Sequence, residues 1–490
     1  MKGIFANKEI KGPRNRTLRV LTVIVGLGLL LFGGLQWYAS HKVSDMLANG
    51  LPRNMEVAYG DMDINILLGS IGFTSLNCKL YRGQNKEPEV ELVLGALEIK
   101  GLDYISLWSK EFGAHRVKLE NAQVTWYDEE SGELGFSLEK GRLELSEFKT
   151  DSLLLRQKIP FTYNTLNFEG NGLFLKLSPF ETLTLGSVVH KDRDAEFKDL
   201  RITTRYSRDQ LSQQLKKERD HIDLCLPSGS VGDLDLGTVN DSLYLGAKAV
   251  GLQGPELRLF RDKLLPDDQE EKPLYGSLLR NLPIKLDIAR LTIEDALVAY
   301  TERIKRDVVP VSVSFDRLSA GIRNLTNTND GKTEIEAKAF LMDEAPIQLQ
   351  WALNNTSTED RFNASVILKN LEAEAINPFL ESQARVRAKG HIDEMYLTLS
   401  GDDFTSRGDM KMKYRDFKFS VLDEDRLGVD KALTLIVNLM TNDGSKTDEK
   451  GYRHGQIEVE RDRSKSFFNY LWLNVRDGLK NTVVGNGKKE

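Results

Sequence analysis

Apolar and polar residues alternate with a period of two through most of the chain beyond residue 50, the pattern of strands that bury one face. Ile284, Leu286 and Ile288 form one such run, and Val309, Val311, Val313 and Phe315 the next. Ile335, Ala337, Ala339 and Leu341 follow, then Ile347, Leu349, Trp351 and Leu353. Met410, Met412 and Tyr414 read as a further strand, and Phe417, Phe419 and Val421 as another. Turn residues such as Asn329-Asp330-Gly331 punctuate the runs. Helical spacing is confined to residues 43–49, 207–221, a broken stretch at 371–386, and 466–483. In the last, Phe468, Leu471, Val475 and Leu479 make one apolar stripe, which predicts a helix docked on the end of the sheet. A helix lying on a membrane surface is the rival, but its basic cluster, Lys488 and Lys489, comes after the helix.

One segment departs from alternation altogether. Residues 20–40, VLTVIVGLGLLLFGGLQWYAS, carry no charge over 21 positions. As a helix they extend about 30 Å, enough to cross a bilayer. Residues 1–19 hold six basic side chains against the single acid Glu9, so they are expected to stay in the cytoplasm. Trp37 and Tyr38 sit where amphipathic rings favour the headgroup level. A cleaved signal peptide has a shorter apolar core than this. The expected plan is therefore a basic N-terminus over 1–19, a transmembrane anchor over 20–40, a β-rich region over 41–465 outside the cytoplasm, and an amphipathic helix with its tail over 466–490.

The β-rich region repeats itself. Residues 117–128 (VKLENAQVTWYD) align without gaps on residues 291–302 (LTIEDALVAYTE), matching Leu119 with Ile293, Glu120 with Glu294, Ala122 with Ala296 and Trp126 with Tyr300. Each copy precedes an alternating stretch, GFSLEKGRLEL or VSVSFDRLSAGI, which reads as a pair of strands. Weaker copies lie at 166–177 and 252–260. The unit is expected to be a strand, a tight polar turn with a small residue, and a second strand, repeated so that the units stack in one direction.

Charge and chemistry narrow the partners. The net charge is −6, and the basic N-terminus contributes +5 of the opposite sign, so the remainder is about −11 and a poor match for nucleic acid. Cys78 and Cys225 belong to no CxxC pair, leaving a long-range disulfide and two free thiols equally open. The six histidines, 41, 115, 190, 221, 391 and 454, are scattered with no metal-ligand spacing. Gly331-Lys332-Thr333 echoes the end of a phosphate loop, but Thr326 stands where that motif needs glycine, so it is a turn. The acid pairs Glu129-Glu130, Asp267-Asp268 and Asp402-Asp403 fall at strand ends, where solvated charge discourages edge pairing. No catalytic residues, metal or cofactor are expected.

The run VELVLGALEIKGLDYISLWSKEFGAHRVKLENAQVTWYDEE resembles the strand series of AsmA-like proteins. LPIKLDIARLTIEDALVAYTERI followed by FDRLSAGIRNLTN resembles the central part of that family, and so does LEAEAINPFLESQARVRAKGHIDEMYLTLSG, where Asn377-Pro378-Phe379 precedes Gly390. The resemblance implies membership of the repeating β-groove superfamily that includes the AsmA and TamB relatives. It further implies an elongated, curved, repetitive antiparallel sheet anchored in the inner membrane, with an apolar concave face that takes the acyl chains of phospholipids in the periplasm. Alternation alone is equally met by strands that close into sandwiches or a barrel. On the groove reading, the lining candidates are Leu286, Ile288, Val311, Val313, Leu349 and Trp351. The expected function is non-enzymatic lipid binding or conduction for the outer membrane; an assembly factor for outer-membrane proteins and an envelope hydrolase are the rivals.

Overall fold

The computed structural model describes residues 53–65, 68–82, 87–103, 111–306, 310–355, 357–384, 386–422 and 447–484. The anchor at 20–40, the helix expected at 43–49, Val309 and the Lys488-Lys489 tail lie outside them. Among the described residues no helix is long and apolar enough to cross a membrane.

The fold is mainly β. In chain order the strands are β1 (Met55–Ala58), β2 (Met62–Asn65), β3 (Ser70–Tyr81), β4 (Pro88–Leu102), β5 (Phe112–Tyr127), β6 (Leu134–Thr150) and β7 (Thr165–Lys176). Next come β8 (Glu181–Lys191), β9 (Asp194–Thr204), β10 (Asp220–Gly232), β11 (Asp235–Val239), β12 (Ser242–Gln253), β13 (Glu256–Asp262) and β14 (Lys285–Arg303). The series ends with β15 (Val311–Thr326), β16 (Lys332–Leu341), β17 (Ala345–Asn354), β18 (Phe362–Glu372), β19 (Val386–Gly401), β20 (Thr405–Val421) and β21 (Arg453–Glu460). Pairing is antiparallel almost throughout; β13 and β14 run parallel. The helices are α1 (Arg208–Gln214), α2 (Tyr275–Arg280), α3 (Asn377–Ala384) and α4 (Phe467–Val484). Ser207 starts α1 with a capping box to Gln210.

The chain divides into two compact units. The first comprises the described residues of Asn7–Ile202 together with Pro227–Gly246. Its core gathers Ile71, Phe73, Leu92, Leu94, Leu119, Leu145 and Phe148 from one face of β3 to β6. The second comprises Thr203–Leu226 and the described residues of Ala247–Glu490, with a core of Leu353, Phe362, Leu368, Leu397, Met395, Met410, Met412 and Ile457 from β17 to β21. Cross-strand partners account for this second core: Leu368 stands opposite Met395, and Met395 opposite Met412.

The internal repeat is real in structure but is not built as expected. Its polar centre is not a turn between two strands. Asn121 (φ 49°) and Asp295 (φ 53°) adopt the left-handed conformation inside single continuous strands, β5 and β14, and the pairing register slips beside each. These are β-bulges, which Asn and Asp tolerate because their short polar side chains accept that backbone at low cost. The stretches read as strand pairs after each copy are likewise one strand apiece, β6 and β15, and the two runs from Met410 to Val421 are one strand, β20, bulged at Asp416 (φ 51°). A bulge flips the phase of alternation, so in β5 the buried positions change from Leu119 to Ala122 and Trp126 across Asn121.

Candidate functional site

The six sequence candidates do not converge. Leu286, half-buried, and Ile288, buried opposite Leu325, lie near the start of β14. Val311 and Val313 are the register partners of Glu302 and Tyr300 at the other end of the same ladder. Twelve residues of β15 separate Val313 from Leu325, a span of roughly 40 Å. Leu349 and Trp351 are brought together on one face of β17, between Ala337 and Ile335 of β16 and Val366 and Ala364 of β18.

Around Trp351 the covering comes from the chain itself. The Phe467 ring at the start of α4 stacks on Trp351 with centroids 4.7 Å apart and planes 5° from parallel. Tyr275 of α2 meets both rings edge-on, at 5.5 and 5.4 Å. Sequence reasoning takes Phe468 as the head of the stripe in place of Phe467, although Phe467 stands four residues before Leu471, with Val475 and Leu479 following at the same interval, and packs with them against the core.

That stripe also changes. Leu471, Val475 and Leu479 pack partly against the core, but Phe468 is 40% exposed. The face that α4 buries most deeply runs through Tyr470, Asn474, Gly478 and Thr482, each four residues from the next. The reason is the strand it meets. β21 pairs with β20, and backbone groups on its other side are met by polar side chains of α4: the Glu458 N–H donates to Asp477 Oδ2 at 3.1 Å, and Asn481 Nδ2 donates to the Gln456 carbonyl at 2.7 Å. Ser406 Oγ donates to Asn474 Oδ1 at 2.8 Å. Close approach demands glycine on both partners, since a Cβ on Gly455 would stand 2.5 Å from Thr482 N and one on Gly478 2.7 Å from Met410 Cε. A hydrophobic stripe alone would leave those backbone groups unsatisfied.

The first unit presents a different surface. Val124, Leu138, Leu173 and Leu185 stand in one transverse row across β5 to β8, and Trp126, Phe136, Leu175 and Leu183 in a parallel one. Trp126 and Leu138 are buried, while Leu173, Leu175, Leu183 and Leu185 remain half-exposed. Among the described residues of this unit the helical content is one 3-10 turn, Leu154–Arg156.

Charged groups cluster in the second unit. Asp220 of β10 takes a bidentate pair of hydrogen bonds from Arg261 of β13, at 2.7 and 2.6 Å, with both side chains buried. Lys263 pairs with buried Glu218 at 2.7 Å, and the Tyr300 hydroxyl donates to Glu302 at 2.8 Å. Burial pushes the Asp220 carboxyl up, but the adjacent Arg261 guanidinium outweighs it and holds the group well below the usual carboxylate range. Burial drives the Tyr300 hydroxyl well above its ordinary value. Each acid here is committed to a fixed partner, as buried charge must be. His221 is pushed down by burial while its Nε2 lies 2.9 Å from the Tyr206 carbonyl. His115, His391 and His454 pair with Glu147, Glu372 and Asp448 at 2.5, 2.8 and 2.9 Å. Among the described residues no group of three or more His, Cys, Asp or Glu side chains is placed to hold a metal. Cys78 and Cys225 are both free, and burial lifts the Cys78 thiol to about 12.

Comparison with protein-family models and with curated proteins finds no match to this chain.

Proposed function

We propose that this protein is a non-enzymatic lipid handler of the cell envelope, anchored in the inner membrane by residues 20–40, whose periplasmic β-rich body holds phospholipid acyl chains along an apolar groove of the AsmA-like kind. The observation that carries this reading is the leucine pairs Leu173–Leu185 and Leu175–Leu183 across β7 and β8, half-exposed, with a single 3-10 turn as the helical content of the described residues in that unit. Apolar surface left beside water favours an apolar occupant, at about 2.5 kcal/mol for every ~100 Å² covered. An acyl chain laid across Leu173 and Leu185 gains that stabilisation while its headgroup stays hydrated. The 21 uncharged residues at 20–40 supply the membrane tether.

The test is to purify the full chain in mild detergent, carrying a photoreactive amino acid at Leu173 or Leu185 and, as control, at Gln350. Phospholipid should crosslink at the first two positions and appear by mass spectrometry in organic extracts. A folded protein that yields no phospholipid at either position would reject the reading.

A further inference from the structure

The opposite, solvent-facing side of β15 to β21 forms a trough of about 890 Å³ within the second unit. Glu336, Gln350, Ser365, Thr398, Asp409 and Gln456 stand side by side in one transverse row, each the register partner of the next, across the six strands β16 to β21. At the strand spacing of about 4.8 Å the row runs for about 24 Å. A neighbouring row adds Asn363 and Ser400, which are partners of each other.

Two properties set this surface apart from an ordinary solvated face. Both of its guanidiniums are paired internally: Arg323 bonds Glu334 and Glu336 at 3.3 and 3.0 Å, and Arg407 bonds Glu458 at 2.8 Å. Around the single central carboxylate, Asp409, the exposed or half-exposed side chains of Gln350, Asn363, Ser365, Thr398, Ser400 and Gln456 are left to solvent, with no hydrogen-bond partner within the described protein. A concave line of amides and hydroxyls, each able to donate and accept, is matched to a ligand that does the same at regular intervals.

We propose that this trough binds an uncharged saccharide chain laid across the strands. Pyranose units joined end to end repeat at close to the strand spacing, so successive sugars meet successive strands. A polyanion is disfavoured, since the carboxylates of Glu334, Glu336, Asp409 and Glu458 outnumber the guanidiniums of Arg323 and Arg407. A protein partner is disfavoured because the exposed rows offer no aromatic or aliphatic anchor for an interface core. Acyl chains are disfavoured for the same lack of apolar surface. The inference stands apart from the lipid reading, which concerns the other unit and the apolar face.

The test uses the full chain in detergent with three probes: N-acetylglucosamine, its β-1,4-linked hexamer, and cellohexaose. Saturation-transfer NMR and calorimetry should show a hexasaccharide bound at least tenfold more tightly than the single sugar. The variant Gln350→Ala/Thr398→Ala/Gln456→Ala, altered only on the exposed face, should lose at least tenfold in affinity, and Asn363→Ala/Ser400→Ala a smaller factor, with hydrogen exchange of β17 to β21 unchanged. Absence of binding by both hexasaccharides at millimolar concentration, a hexamer no tighter than the monomer, or full affinity in the triple variant would each overturn the proposal.

Discussion

Replacing Phe467 with alanine tests whether the chain's own helix covers the apolar face around Trp351. The substitution removes a stacked contact with Trp351 at 4.7 Å and edge contacts with Tyr275 at 5.4 Å and Phe362 at 5.8 Å. Ring pairs of this kind contribute about 0.5–1.5 kcal/mol each beyond area burial, and truncating a fully buried phenylalanine costs about 3–5 kcal/mol. Phe467 is only half-buried, which places the expected loss at about 2 kcal/mol. A chain with two compact units has no single unfolding free energy to measure, so the loss is read locally, from amide exchange. If α4 opens as a unit, its amides in Phe467→Ala should exchange about 30-fold faster than in the parent protein, since 1.36 kcal/mol is about tenfold in an equilibrium. Amides of β3 to β6 in the other unit should not change. If α4 exchange stays within about twofold, the aromatic cluster does not hold the helix, and the bonds from Asp477 and Asn481 to the β21 backbone carry the docking instead.

Asp220→Asn should destabilise the second unit by about 3–5 kcal/mol at neutral pH, because it leaves the buried Arg261 charge short of its counter-ion, and Asp220→Leu/Arg261→Met should recover much of that loss. The Asp220 carboxyl is depressed in the folded state, so its stabilisation is present above the unfolded carboxylate range near pH 4 and declines as pH falls below that; acid titration followed by circular dichroism should show a steep component that Asp220→Asn lacks. Asn121→Val and Asp295→Val, which put a β-branched residue into left-handed backbone, should each cost about 1–3 kcal/mol, whereas the glycine variants should be tolerated, as read from local amide exchange in β5 and β14. Of the two free thiols, half-buried Cys225 should react with a thiol reagent in the native protein while buried Cys78, lifted to about 12, stays unmodified until unfolding.

How much of this architecture could be read from the residues depends on which physical effect dominated locally. Alternation located β16 and β17 correctly because one face of each carries apolar residues at every second position, and burial of that face favours a period of two. The helix at Phe467–Val484 was expected within one residue at each end, and the break at Ala373–Ile376 before α3 was expected as a broken helix. The misread strand boundaries share one cause, while the helix expected over 207–221 stops at Gln214, with β10 starting at Asp220. A left-handed residue such as Asn121, Asp295 or Asp416 reverses which face the next residue occupies, and in a bare sequence that reversal looks the same as a chain break between two strands. The discriminating signal was available in the alignment itself, since Asn121 and Asp295 occupy the same place in both copies of the repeat and two turns would not have to match so closely.

The groove candidates lie at separate places along the second unit's strands for a related reason. They were taken from strands with the cleanest alternation, and clean alternation marks a face whose burial is complete enough to impose it. On β17 that burial is supplied by Phe467 and Tyr275, elements distant in sequence whose arrival no local pattern announces. The half-exposed rows on β7 and β8 come from stretches with weaker patterning, LNFEGNGLFLK and ETLTLGSVVHK, where glycines and threonines dilute the apolar positions. A face that holds a mobile apolar ligand is under looser packing constraint than a face pressed against another element, so its residues need apolar character but not strict complementarity. On the proposed reading, an acyl chain would be sought first where alternation persists but is imperfect, as at Leu173, Leu175, Leu183 and Leu185, while Trp351 already carries Phe467 and Tyr275 of its own chain.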